Sequence, residues 1–171
     1  IQFLVLLLVA GNETTRNAMS GGMQLLIDHP DQRERLVAEP ELIPSAVDEM
    51  LRLVSPVHSF TRTVTRDVKF GGVQMRAGDD VLLLYPSANR DAARFEAPDE
   101  FRVDRAPQHL AFGVGPHFCL GASLARMEIR VLFSTLLRRM TDFTYASGGP
   151  VLEPSALVRN CTALEMTFTA R

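Results

Sequence analysis

The chain opens on an apolar run in which Phe3, Leu4, Val5, Leu6, Leu7, Leu8, Val9 and Ala10 stand in succession, and the first proline is Pro30. A run that is apolar on every side and then continues into mixed sequence predicts one long helix, to about Ile27, that starts inside a protein core. It is too short to cross a bilayer, which takes about 20 apolar residues. No basic region precedes it, as a signal peptide would require. The sequence does not begin with Met, so it is expected to start partway through that helix, as the C-terminal part of a longer protein. Inside the helix, Ala10-Gly11-Asn12-Glu13-Thr14-Thr15 breaks the pattern with two small residues, an acid and two hydroxyls. Thr14 stands four residues after Ala10, within reach of its carbonyl, which predicts a loosened or bent turn. An acid beside a groove opened there has the makings of a proton relay.

Further on, Asp28-His29-Pro30 reads as a stop and restart, followed by a short amphipathic helix over 32–38. Ser45-Ala46-Val47-Asp48 resembles a capping-box start and leads into Glu49-Met50-Leu51-Arg52, which puts Glu49 and Arg52 on one helix face. From Val54 the pattern turns extended. A hairpin is predicted over 68–75, turning at Gly71-Gly72, then a turn at 77–79 and a strand over 81–85. Residues 86–118 carry almost no periodicity, and a loop of that length in a compact domain is usually functional. Phe95, Pro98 and Phe101 are expected to pin it by burial. A helix over about 120–140 comes next, with Leu124, Met127, Val131, Leu132 and Leu136 as its apolar stripe, and the tail reads as short β segments. The sum is a mainly α chain with small β-sheets, an α+β class, with no internal repeat or linker.

Composition narrows the function. The chain has 171 residues, 46% of them hydrophobic, enough for one sizeable core. A net charge of −2 argues against nucleic-acid binding and against a cationic membrane surface. Two cysteines, Cys119 and Cys161, do not make a disulfide framework, so a reducing compartment, the cytoplasm, is expected, with Cys161 structural.

Chemistry concentrates in Phe112-Gly113-Val114-Gly115-Pro116-His117-Phe118-Cys119-Leu120-Gly121, a glycine-rich loop running into the last long helix. A cysteine at such a junction is expected to be favoured as the thiolate by the helix N-terminus, with Phe112 shielding it and the glycines removing Cβ atoms from its surroundings. A lone thiolate of this kind suits an axial haem-iron ligand. The spacing of His109, His117 and Cys119 does not suit a structural zinc site.

The order of Phe112, Gly113, Gly115, His117, Cys119 and Gly121 resembles the haem-binding loop of the cytochrome P450 superfamily, and Ala10, Gly11, Glu13 and Thr14 resemble its distal oxygen-binding helix. The resemblance covers essentially all of residues 1–171, as the C-terminal haem-binding part of a single domain whose N-terminal part is absent. It implies haem b with Cys119 as axial thiolate, His117 and Arg62 at the haem propionates, Ala10 and Gly11 over the haem, and Glu13 and Thr14 as the proton-delivering pair. It also implies a buried triad of Glu49, Arg52 and Arg105 supporting the loop. Leu6, Val9, Val57, His58, Leu157 and Val158 would line the substrate site. The activity implied is insertion of one oxygen atom of O2 into an apolar molecule such as a sterol, terpenoid or other lipid. Electrons would come ultimately from NAD(P)H through a ferredoxin-type donor near Arg126. The alternative is a truncated, non-catalytic haem-binding or interaction domain; an intact acid–alcohol pair argues against it.

Overall fold

The computed structural model describes residues 1–171. Helix α1 (Gln2–Asp28) runs unbroken through residues 10–15: Thr14 Oγ1 donates to the Ala10 carbonyl at 2.7 Å, but the expected loosening does not interrupt the helix. Pro30 has no N–H to lose and opens the first turn of α2 (Pro30–Ala38), two residues earlier than the periodicity suggested.

Burial along α1 corrects the expectation from hydropathy. Residues 1–12, the most apolar part, are exposed, whereas Thr15, Asn17, Ala18, Gly21, Gly22, Met23 and Leu26 are buried. Packing partners decide this: within these 171 residues the other elements meet α1 along its C-terminal half. The approach is closest at two glycines. A Cβ on Gly21 would stand 2.6 Å from Val54 Cγ2, and one on Gly22 would stand 2.8 Å from Phe133 Cζ. The double variant G21A/G22A is therefore expected to lose stability. Overpacking of about 1–3 kcal/mol per site outweighs a helix-propensity gain of about 1 kcal/mol per site. A chemical-denaturation midpoint equal to the parent's would show that the helices can move apart freely.

A 3-10 turn, Pro40–Leu42, leads into α3 (Ile43–Val54). The helix starts before Ser45, so the expected capping box is not formed. Pro44 occupies the first turn, and Ser45 Oγ instead accepts the Ala106 N–H at 2.8 Å, tying the helix to the long loop. After α3 come β1 (Ser59–Thr63), β2 (Val68–Phe70), β3 (Val73–Met75) and β4 (Asp80–Leu84). Strand β1 pairs antiparallel with β4, from Ser59 opposite Leu84 to Thr63 opposite Asp80. Strands β2 and β3 form the expected hairpin, its turn made by Gly71 and Gly72 at φ of 56° and 85°. The strand expected to reach residue 85 stops at Leu84, because Pro86 has no N–H for a ladder and sits instead in the one-turn helix α4 (Tyr85–Ala88).

Residues 89–121 are irregular apart from a 3-10 turn at Gly115–His117. Helix α5 (Ala122–Arg139) comes next, then β5 (Met140–Tyr145), β6 (Val151–Glu153), β7 (Asn160–Ala163) and β8 (Met166–Ala170), pairing β5 with β8 and β6 with β7. Helix α5 has two apolar faces, and the structure buries the one that hydropathy did not single out. Ala122, Ile129, Phe133 and Leu137 are buried, while Leu124, Met127 and Val131 are exposed. The core gathers Leu26 of α1, Leu36 of α2, Val47 and Met50 of α3, Ile129 and Phe133 of α5 and Phe143 of β5, closed by Phe101 and Val103 from the long loop. No helix is long and apolar enough to cross a membrane.

Candidate active site

Backbone hydrogen bonds shape the cysteine loop. Gly113 N–H donates to the Leu110 carbonyl at 2.8 Å, Phe118 N–H to Gly115 at 3.0 Å, and Cys119 N–H to Phe112 at 3.0 Å. Gly113 and Gly115 adopt φ of 70° and 76°, where a side chain is strained, so these two glycines are conformational requirements. Gly121, at φ of −88°, is not; it is the N-cap residue of α5.

That places Cys119 differently from the expectation in one respect. The helix begins at Ala122, so Cys119 occupies the turn before it, and its carbonyl accepts the Ala122 N–H at 3.3 Å. The thiol is free and exposed rather than shielded. Phe112, expected to cover it, turns its ring toward His109, Phe118 and Arg126. Cys161 is buried and reduced; its N–H donates to the buried Asn17 side chain at 3.0 Å, a structural role.

The donor set fits haem. A single soft sulfur on a rigid loop, with no group of three or more His, Cys, Asp or Glu side chains gathered as a metal site, suits an iron that brings its own equatorial ligands. His109, His117 and Cys119 do not converge as a zinc site: His109 is inside, on Asp48, and His117 is exposed. Gly113 comes within 3.9 Å of the Tyr85 hydroxyl, measured from an added Cβ, and the Tyr85 ring meets Phe60 edge-on at 6.1 Å. Arg62 stands two residues beyond Phe60 on β1, so both project from the strand face that meets Tyr85. Arg62 and His117 are both exposed, and Arg62 Nη1 donates to the Thr61 carbonyl at 3.0 Å.

Beneath the loop lies the triad. Glu49 and Arg52 are fully buried, and Arg52 Nε is 2.7 Å from Glu49 Oε2. Arg105 Nε is 2.9 Å from Glu49 Oε1, completing the expected set. The two arginines then spend their remaining donors on loop carbonyls: Arg52 on Asn89, Pro98 and Glu100, and Arg105 on Glu96, Ala97 and Glu100. The Arg52 guanidinium also lies 5.0 Å from the Phe95 ring centroid. Residues 89–105 are thus bound around one buried carboxylate.

Three residues to which the sequence assigned no place in the site join this scaffold to the cysteine loop. Asn89, fully buried, donates to Ser55 Oγ at 2.9 Å and accepts the Leu110 N–H at 2.7 Å. Asp48 and His109 pair at 3.2 Å. Nothing local in the sequence distinguishes Asn89 from a surface residue; Asp48 next to Glu49 on a buried helix was the available signal. Arg126, expected to face an electron donor, places Nε 2.7 Å from Asp48 Oδ1 and its guanidinium 4.6 Å from the Phe112 ring centroid. Burial pushes the Asp48 carboxyl up, but hydrogen bonds from His109 and Arg126 outweigh it and hold the group below the usual carboxylate range.

On the other side, Val57 and Val158 form an antiparallel bridge, and His58 N–H donates to the Leu157 carbonyl at 2.8 Å. These four expected substrate residues are brought together. His58 Nδ1 donates to the Ser155 carbonyl at 3.3 Å, which fixes the ring's direction. Leu6, Val9, Ala10, Glu13 and Thr14 stand at helical spacing along one face of α1, with Gly11 beside them. Glu13 pairs with Arg16 at 2.6 Å. A Cβ on Gly11 would meet nothing within 4 Å.

A free thiol on this closed loop, beside a buried Glu–Arg–Arg triad, is a donor that suits haem iron. The family model described as Cytochrome P450 matches residues 2–154, and the chain belongs to the cytochrome P450 family. The steroid C26-monooxygenase of Mycolicibacterium smegmatis is 46% identical over 167 residues, which cover 96% of this chain and 42% of that protein. The methyl-branched lipid omega-hydroxylase of Mycobacterium tuberculosis is 46% identical over 170 residues, covering 98% of this chain and 40% of the relative. Among solved structures, cytochrome P450-153 from Novosphingobium aromaticivorans superimposes with a TM-score of 0.92 at 44% identity, over 97% of this chain and 42% of the other. CYP109E1 from Bacillus megaterium in complex with testosterone gives 0.91 at 40% identity, over 96% and 46%. The chain therefore spans less than half the length of these relatives.

Proposed function

We propose that residues 1–171 are the C-terminal haem-binding part of a single-domain monooxygenase that hydroxylates a steroid or methyl-branched lipid. The observation that carries this is the free Cys119 thiol on a loop closed by its own backbone and braced by the triad. Two relatives at 46% identity, one named a steroid C26-monooxygenase and the other a methyl-branched lipid omega-hydroxylase, support the substrate class.

In this reading Cys119 would hold the iron of haem b, and Arg62 and His117 would hold the haem carboxylates. A haem bound there would supply dioxygen activation. One oxygen atom enters a C–H bond and the other leaves as water, which consumes two electrons and two protons. Glu13 and Thr14 handle those protons. The Ala10 carbonyl holds the Thr14 hydroxyl at a fixed point on the same face of α1 as Leu6 and Val9, which bind the apolar substrate with Val57, His58, Leu157 and Val158. Glu13, exchanging its Arg16 partner for water, resupplies Thr14. Electrons arrive singly from a ferredoxin-type donor, drawn from NAD(P)H, on the side of the cysteine loop where α5 begins. Arg126 contributes there by holding the loop through Asp48 and Phe112.

The test is turnover of a steroid and of a methyl-branched fatty acid by the complete protein, counting NAD(P)H consumed, peroxide released and product formed. Thr14→Ala is expected to keep haem and substrate binding while product per electron pair falls by about 10²-fold, as for a lost proton-transfer group. Normal coupling in that variant removes Thr14 from the mechanism.

A further inference from the structure

His109 lies under the cysteine loop and has no part in the proposed oxygen chemistry. Its side chain is 1% exposed. Nε2 lies 3.2 Å from Asp48 Oδ1, and Nδ1 lies 3.1 Å from the Ala111 backbone nitrogen. A backbone N–H can only donate, so Nδ1 is the unprotonated nitrogen and Nε2 carries the hydrogen that Asp48 accepts. The surroundings select one neutral tautomer. A second proton would have to occupy Nδ1, the atom already receiving the Ala111 N–H, so the doubly protonated ring and that hydrogen bond exclude each other.

What the ring holds matters. Ala111 precedes Phe112, whose carbonyl accepts the Cys119 N–H at 3.0 Å. The Phe112 ring lies 5.7 Å from the His109 ring and 4.6 Å from the Arg126 guanidinium, centroid distances in both cases. Asp48 from α3 and Arg126 from α5 are the charged groups facing this unit, and they share Asp48 Oδ1 at 3.2 Å and 2.7 Å from His109 and Arg126.

The geometry points to His109 as a positioning residue that makes the cysteine loop sensitive to acid. As the neutral Nε2–H ring it holds the Ala111 amide, and through Phe112 the backbone that anchors Cys119. A proton taken up at Nδ1 evicts that amide and slackens the loop. The asparagine variant H109N keeps an acceptor for an N–H two residues on, in the manner of an Asx turn, but has no proton to gain. The phenylalanine variant H109F keeps a ring and loses the acceptor.

This rests on the haem-thiolate reading for one of two measurements. In the complete protein carrying reduced iron and carbon monoxide, long-range 1H–15N spectra at neutral pH are expected to show the imidazole signals absent from H109N as an unprotonated Nδ1 and a protonated Nε2. A protonated Nδ1 overturns the proposal, and this readout is the same whether or not haem is present. Acid titration of the red-shifted thiolate band then tracks the loop. H109N is expected to keep the band to a lower pH than the parent, and H109F to show a weakened band already at neutral pH. Coincident acid profiles for parent and H109N overturn the proposal. A parent with haem but no thiolate band at any pH overturns the haem-thiolate reading instead, leaving the tautomer spectrum to decide the role of His109.

Discussion

Replacing Cys119 by serine is expected to abolish the strongly red-shifted absorption of the reduced, carbon monoxide-treated protein and to take hydroxylation to background. A serine hydroxyl is a hard, weakly acidic donor at neutral pH, whereas a thiolate is a soft anion that holds iron and donates electron density to it. The loop itself should survive, since its closure depends on backbone groups of Phe112, Gly115 and Cys119 and on the left-handed conformations of Gly113 and Gly115, none of which the change touches. In the haem-free proteins, circular dichroism and the unfolding midpoint should therefore match the parent within about 0.5 kcal/mol, the usual range for an exposed substitution, since bound haem would itself add stability. Retention of the red-shifted band in the variant would remove Cys119 as the ligand.

The second large effect is expected at Glu49. Glu49→Gln leaves Arg52 fully buried and Arg105 nearly so without a counter-charge, since their other partners are neutral carbonyls. Removing one member of a buried charge set costs about 3–5 kcal/mol, against a total domain stability of about 5–15 kcal/mol. The complete protein is expected to lose soluble yield and haem together, because residues 89–105 depend on the two arginines. Replacing Glu49 and Arg52 together by methionine and leucine should restore part of the stability but not the loop, since the carbonyls of Asn89 and Pro98 lose their donor. Wild-type haem retention in E49Q would show that the triad is not what holds the loop.

Both predictions concern residues already visible in the sequence, which reflects how the information is stored. Cys119 stands among closely spaced glycines, and Glu49 and Arg52 are one helical turn apart, so short-range spacing exposes both. Arg105 was reached through the order of motifs along the chain and not by its own surroundings. Asn89 and His109 act only through partners brought near by folding: Asn89 reaches Ser55, 34 positions away, and His109 reaches Asp48, 61 positions away. No local pattern marks either. Arg126 is the instructive case. Its closeness to Cys119 in the chain puts it near the loop, but a charge on a helix can face solvent or a neighbouring helix, and the carboxylate of Asp48 and the face of Phe112 decided between them.

By itself the sequence determined the class, the hairpin at Gly71-Gly72, the long loop, the cysteine junction and the helical lengths to within a few residues. Those depend on torsional preference, proline's missing N–H and periodicity, which act over a few neighbouring residues. Only the tertiary structure decided which apolar face of α5 is buried, why the first half of α1 is exposed and how the charged residues pair. Burial is not a property of a side chain alone. It requires an opposing surface, and a helix with two apolar faces carries no internal record of which one that surface will meet.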